Sequence, residues 1–148
     1  MAQSAAQQRA SFPLAVYNFR VTVGGVQMRF SRVNGLVRQF RTLTHRHGLS
    51  FAEGEQIVRY RIDAWAPLTL EQGTVQGGRG LLDWLQAGDK RAMQVELCDA
   101  EGLPAVRWAV AHAVPVRLTA PGFDARSNDA SIDTLEVQAA GITLTHNP

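Results

Sequence analysis

The sequence predicts a mainly β protein: a small antiparallel β-barrel, closed or nearly closed, with one short flanking helix and an extended β-hairpin arm. Three observations predict it. Seven or eight short runs alternate apolar and polar residues with a period of two, the pattern of strands with one face in a core. Turn signals separate them: Gly24-Gly25, Asn34-Gly35 and the tetrapeptide at 99–102. Only the segment at 81–88 has the dense apolar stripe of a helix. Many short antiparallel strands must close on themselves or protect their edges, and a barrel does this.

In chain order, residues 1–12 read as a flexible N-terminal arm and 13–148 as one domain. Tyr17, Phe19, Val21 and Val23 alternate with Asn18, Arg20 and Thr22, and beyond the glycines Val26, Met28 and Phe30 continue the phase. A two-residue loop fixes the register: Val23 opposite Val26, Val21 opposite Met28 and Phe19 opposite Phe30, all on one buried face. Residues 36–65 form the arm, two strand-like runs joined by a polar tip at 48–54. On its return run Val58, Tyr60, Ile62 and Ala64 alternate with Ile57, Arg59, Arg61, Asp63 and Trp65. Neither face is clearly wet, so the arm is expected to grip another copy of the chain.

After Pro67, a short run from Leu68 to Leu70 leads into a glycine-rich stretch. The helix carries Leu81, Leu82, Trp84 and Leu85, and Gly88 suits the left-handed position past its end. It is too short to stand alone and must pack on a sheet. Met93, Val95 and Leu97 alternate with Gln94, Glu96 and Cys98. From Val106 the even positions stay apolar through Trp108, Val110, His112, Val114, Val116 and Leu118, with Pro115 expected to break or edge the strand. Residues 120–130 read as a loop. The last strand runs Leu135, Val137 and Ala139 in odd phase, then Ile142 and Leu144 in even phase, and the slip beside Gly141 predicts a bulge.

A chain of 148 residues can bury a core without covalent staples, and its 45% hydrophobic and 19% charged residues suit a globular protein. One cysteine, Cys98, excludes a disulfide framework and a Cys-based metal site. No run approaches the roughly 20 apolar residues of a membrane helix, and the first residues lack a signal-peptide core, so folding in the cytoplasm is expected. The net charge of +2 conceals an asymmetry: residues 1–61 hold nine arginines against two acids, and residues 62–148 hold six basic residues against eleven acids. Of the fifteen basic residues only Lys90 is a lysine. Arginine's rigid fork suits carboxylates and phosphates in interfaces, so the asymmetry points to nucleic acid or to a complementary protein surface.

No catalytic constellation emerges. His45 and His47 share a strand face but lack nearby acidic or cysteine ligands, short of the three or four a metal site needs. His112 lies in an apolar row and reads as a core histidine; Cys98 falls on the polar phase and reads as inert. The glycines at 77–80 precede a helix without the Lys-Ser/Thr of a phosphate loop. The serines at 11, 31, 50, 127 and 131 lack a nucleophile-elbow context. No cofactor is expected.

The segment FPLAVYNFRVTVGGVQMRFSRVNGL resembles the opening of the contractile-tail tube protein family, with Phe30, Val33, Gly35 and Leu36 matching its Phe-x-x-Val-x-Gly-Leu motif. Further matches, in the family's order, are Pro67-Leu68-Thr69-Leu70, Gly73, the helix around Asp83-Trp84 and the turn at 99–102. Trp108, Val114-Pro115-Val116 and SNDASIDTLEVQAAGITL complete the set, so the resemblance spans residues 12–144. The chain departs from the family in having Glu71-Gln72 before Gly73, where a basic residue is usual, and in its arginine-rich outgoing arm strand.

The resemblance implies a structural protein, not an enzyme, with a tail-tube fold like that of the secreted ring protein of type VI secretion. It implies six-membered rings that stack head to tail into the inner tube of a phage tail or contractile injection system. Implied partners are copies of itself, a contractile sheath, baseplate or tube-initiator proteins, and cargo or DNA in the lumen, with no membrane. Assembly is expected in the cytoplasm, within a phage tail or a released particle. On this reading Arg38, Arg41, Arg46, Arg59 and Arg61 are stacking candidates on one side, and Asp83, Asp89, Asp124, Asp129 and Asp133 on the other. Two alternatives stand beside it: a baseplate-proximal tube-initiating paralogue, and a nucleic-acid-binding barrel. Against the latter, only 7% of residues are aromatic, and single-strand binders interleave stacking platforms with basic residues. A small-ligand barrel comes third, with no polar cluster to nominate.

Overall fold

A computed structural model describes residues 13–45, 56–61 and 65–148, with side chains described outside 40–61. The strands are β1 (Phe19–Val23), β2 (Val26–Met28), β3 (Arg32–Asn34), β4 (Phe40–His45), β5 (Gln56–Arg61), β6 (Ala66–Gly73), β7 (Arg91–Cys98), β8 (Pro104–Thr119) and β9 (Ile132–His146). One helix among the described residues, α1 (Gly80–Ala87), lies between β6 and β7. Among the described residues seven strands form one antiparallel sheet in the order β2-β1-β7-β8-β9-β6-β3, and β4 and β5 pair separately as a ribbon.

The long β8–β9 hairpin is the spine. β7 pairs with its half nearest the β7–β8 turn, as far as Arg91 opposite Ala113. β6 pairs with its other half, beginning at Ala66 opposite Ala139. Ala113 and Ala139 are themselves partners, so the two flanks meet the spine at one level and extend in opposite directions.

The sheet's end strands, β2 and β3, are joined by only residues 29–31, which brings the two edges together. There the Ser31 N–H donates to the Glu71 carbonyl (2.8 Å), and Gln72 Nε2 donates to the Arg29 carbonyl (2.6 Å). β2 and β3 nevertheless stand at opposite ends of the hydrogen-bonded order, so the seam is not a continuous ladder. A single core unites both flanks: Val21 and Val23, Met93 and Val95, Val110 and Ala113, Leu135, Val137 and Ala139, and Leu68 and Leu70. The helix adds Leu81 and Trp84, ending at Gly88 (φ 66°), whose N–H donates to the Trp84 carbonyl (2.8 Å), as its sequence position predicts.

The opening hairpin has the expected register at Val23–Val26 and Val21–Met28. Phe19 does not pair with Phe30, because the chain leaves β1 after Met28 to reach the edge of β6 as β3. Val26 is also exposed, since it belongs to a sheet edge rather than to the core. Just past β3, Gly35 (φ 105°) lets the chain run close against β6: a Cβ there would stand 2.7 Å from the Pro67 carbonyl oxygen.

The phase slip at Gly141 is real, but its bulge lies one strand over. β8 and β9 keep one register from Val110–Ile142 to His112–Ala140, with Gly141 at φ 69°. Against β7, β8 carries an extra residue between Val110 and Ala113. That insertion turns His112 out of the apolar row, so it is exposed and not a core histidine. At a second irregularity, Leu97–Cys98, the extra residue is Ala105 of β8, so Cys98 keeps the phase of Glu96 as expected but, like Glu96, is buried there. Pro115 lies beyond the last β7 partner and beside a register shift with β9, where a residue without an N–H fits.

Candidate assembly surface

Because the core occupies one face of the sheet, the other face carries the polar alternates. Across β1, β7 and β8 the partners Arg20, Glu96 and Arg107 fall in one row. Glu96 is only 7% exposed, yet both its oxygens are engaged. Arg107 donates from Nε and Nη2 to Oε2 (3.2 and 2.9 Å), and Arg20 Nε lies 3.3 Å from Oε1. A carboxylate between two guanidinium groups ties three strands together and leaves one net positive charge. Sequence reasoning missed this row, because β1 and β7 are neighbours only through a non-consecutive sheet order.

The expected arm hairpin is present at its base. β4 and β5 pair from Phe40–Arg61 to His45–Gln56, placing Arg41 opposite Tyr60, Arg59 opposite Thr42 and Arg61 opposite Phe40. Arg46, His47 and the tip at 48–54 lie outside the described residues, as does the N-terminal arm at 1–12. Arg38 stands at the arm's root, donating from Nη1 to the Ile142 carbonyl (3.3 Å). On the return side Lys90 Nζ sits 5.7 Å from the centre of the Trp65 ring, a cation–π distance.

The acidic candidates divide into two groups. Asp83 lies in the first turn of the helix and Asp89 just past its end: Asp83 faces Arg79 at 3.7 Å, and Asp89 Oδ2 accepts from Arg91 Nε at 2.9 Å. That hydrogen bond holds the Asp89 carboxyl below its ordinary value. Asp124, Asp129 and Asp133 sit on or beside the 120–131 loop, which joins the ends of β8 and β9 remote from the arm's root. Asp124 Oδ1 accepts from the Arg126 N–H (3.0 Å) and lies 3.6 Å from its Nε. Topology therefore puts Asp124, Asp129 and Asp133 at one end of the spine and Arg38, with the root of the arm, toward the other.

Two apolar features escaped the sequence reading. A recess of about 600 Å³ opens at the β7–β8 turn end of the sheet, lined by Phe19, Phe30, Leu36, Leu97 and Trp108, with Val16 and Tyr17 at its rim. At the far end Phe123 projects from the loop, 85% exposed. A lone aromatic among turn-forming residues (Pro121, Gly122, Asp124) was its only signal in the sequence.

Of the remaining candidates, Ser31 Oγ donates to the Glu71 carbonyl (3.1 Å) and Ser131 Oγ bonds Thr74 Oγ1 (2.8 Å), structural roles at the seam and the loop. Among the described residues no three His, Cys, Asp or Glu side chains come together as metal ligands, and no helix is long and apolar enough to cross a membrane.

The chain matches the family described as T4-like virus tail tube protein gp19 over residues 15–143. It is similar to a chain of an extracellular contractile injection system, the PVC sheath-tube complex in its extended state. The two are 26% identical, the match covers 98% of this chain and 99% of that one, and the TM-score is 0.84. A chain of the anti-feeding prophage tube-terminating cap is also 26% identical, over 92% and 93% of the two chains, at a TM-score of 0.79. Hcp1 from Flavobacterium johnsoniae shares the fold, at 14% identity over 87% and 95% and a TM-score of 0.53. No curated protein sequence matches.

Proposed function

The chain belongs to the T4-like virus tail tube protein family and is a structural tube subunit; we propose that it forms the main inner tube of an extracellular contractile injection particle, from six-membered rings stacked head to tail within a sheath. The observation that carries this reading is the near end-to-end match to the sheath-tube complex chain, at a TM-score of 0.84. The tube-terminating cap chain is a looser match, at a TM-score of 0.79. Its partners are then copies of itself, the sheath and the proteins that cap or found the tube, and its work is mechanical rather than catalytic.

Physical features support the same reading. The two ends of the spine differ in charge and in apolar surface, which suits a head-to-tail contact, where unlike faces meet. A carboxylate-clamped three-strand row and one core shared by both flanks suit a subunit that transmits force along a wall. Negative-stain imaging of the purified protein tests the reading. We expect rings with sixfold symmetry that elongate into tubes as concentration rises. A chain that stays monomeric at every concentration and binds oligonucleotides in a salt-dependent way refutes it in favour of the nucleic-acid barrel.

A further inference from the structure

We propose that successive rings dock through an aromatic plug and an apolar socket: Phe123 of one copy enters the recess lined by Phe19, Phe30, Leu36 and Trp108 of the copy stacked on it. This rests on the head-to-tail tube reading and names the surface that reading leaves open. The Phe19–Leu97–Trp108 wall of the recess and the plug lie at opposite ends of the same spine, while the Phe30–Arg32 wall closes over from β3. Phe19 and Leu97 are partners at the ends of β1 and β7 remote from the Gly24-Gly25 turn. Trp108 is near the start of β8 and the Phe123 loop comes after its end. From Trp108 to Thr119 an extended strand runs about 36 Å. Phe123 is 85% exposed, so it does not fill the recess of its own chain.

Size and charge favour a second copy as the occupant. At about 600 Å³ the recess has the volume of a ligand-sized cleft, ample for a phenyl ring with Pro121 and Gly122 behind it. The rim adds exposed apolar surface from Val16 and Tyr17, 85% and 83% exposed. Around the plug, Asp124, Asp129 and Asp133 outnumber the single Arg126. At the socket, Arg32 lines the recess but lies 3.5 Å from Glu71 of its own chain, and Arg38 lies two residues beyond Leu36. With Glu71 counted, the rim keeps a net positive charge against the net negative loop, so unlike charges meet when the plug is seated. The loop is held in shape before docking: the Ser127 N–H donates to the Asp124 carbonyl (3.1 Å), and the Asp129 N–H donates to Ser127 Oγ (3.1 Å). A stiff loop loses little freedom on binding.

The test uses the full chain. Phe123→Ser alters an exposed side chain, so rings should form as in the wild type, while the protomer concentration needed for tube growth rises roughly ten- to a hundredfold. In a second arm, the photo-crosslinking residue p-benzoylphenylalanine replaces Phe123 in preformed tubes, and illumination should join it to peptides containing Phe19, Phe30 or Trp108 of a neighbouring copy. Tubes growing from Phe123→Ser at the wild-type concentration overturn the docking while leaving the tube reading intact. Crosslinks confined to other peptides, or to an added sheath protein, also overturn it. A wild-type chain that forms neither rings nor tubes overturns the tube reading itself.

Discussion

Gly141→Ala is the sharpest probe of how the spine is built. Gly141 holds φ at 69°, where an L-residue costs about 1–2 kcal/mol. A Cβ there would stand 2.7 Å from the Cβ of Ala111, against an ordinary carbon–carbon approach of about 3.5–4.0 Å. Ala111 Cβ is fixed to its backbone, so relief requires the strands to part, an overpacking cost of about 1–3 kcal/mol. Together these give a destabilisation of about 3 kcal/mol, or a fall in melting temperature of about 6–12 °C for a domain of this size. The assay is thermal unfolding monitored by circular dichroism at one protein concentration, because assembly itself shifts the midpoint. The partner variant Ala111→Gly makes the reasoning strict. Combined with Gly141→Ala it should recover the clash but not the backbone cost, giving a coupling energy of about 1–3 kcal/mol. A single variant as stable as the wild type, or strictly additive effects, would refute the account of the bend.

Three further outcomes are expected. Glu96→Gln removes the charge held between Arg20 and Arg107; with those side chains 38% and 35% exposed, the loss is discounted to about 1–2 kcal/mol, and an unchanged melting temperature counts against the row as a strut. Asp89, its carboxyl lowered from 3.8 by the Arg91 hydrogen bond, contributes stability that is present above pH 3.8 and lost as pH falls through the lower folded value. An NMR titration of its carboxyl carbon should have a midpoint below 3.8, and a midpoint at or above it refutes the pairing. Replacing residues 48–54 with Asn-Gly should leave a soluble, folded protomer that no longer stacks, and tubes of normal length from that variant would deny the arm a role.

Much of the fold was legible in the sequence because alternation and turn chemistry are local signals. The Gly24-Gly25 hairpin, the helix at 80–87 with its glycine cap, the turn at 99–102 and the arm's two strands are all set by neighbours in the chain. Non-local geometry was not legible. β3 could not be separated from β2, because Phe30 continues the alternation while the backbone crosses to β6. His112 was misplaced because it lies at a register irregularity, and an inserted residue reverses the face of every residue beyond it. The assembly surface suffered most: the Arg20–Glu96–Arg107 row joins residues 76 and 11 positions apart, which no window reads.

The split in charge between the sequence halves becomes a sharper claim once the acids are placed. Asp83, Asp89 and Asp124 each face an arginine of their own chain, Arg79, Arg91 and Arg126. A carboxylate with a guanidinium beside it offers a neighbour a partly cancelled field. Among the described residues Asp129 and Asp133 have no such ion pair, and both lie at the end of the spine remote from the arm's root. If unlike ends meet, these two should contribute most to the contact. One exposed pair is worth about 0–1 kcal/mol, so a single ring contact gains little, but a ring of identical copies multiplies it. At about 0.15 M salt, screening acts beyond about 8 Å, which weakens approach more than close contact. Asp129→Lys with Asp133→Lys should therefore reduce tube sedimentation more than Asp83→Lys with Asp89→Lys, and the difference should shrink as salt is raised. Ring formation should be the same in both variants. Equal losses at low salt would show that the loop end carries no special share of the stacking charge, and longer tubes at high salt would show that charge opposes stacking.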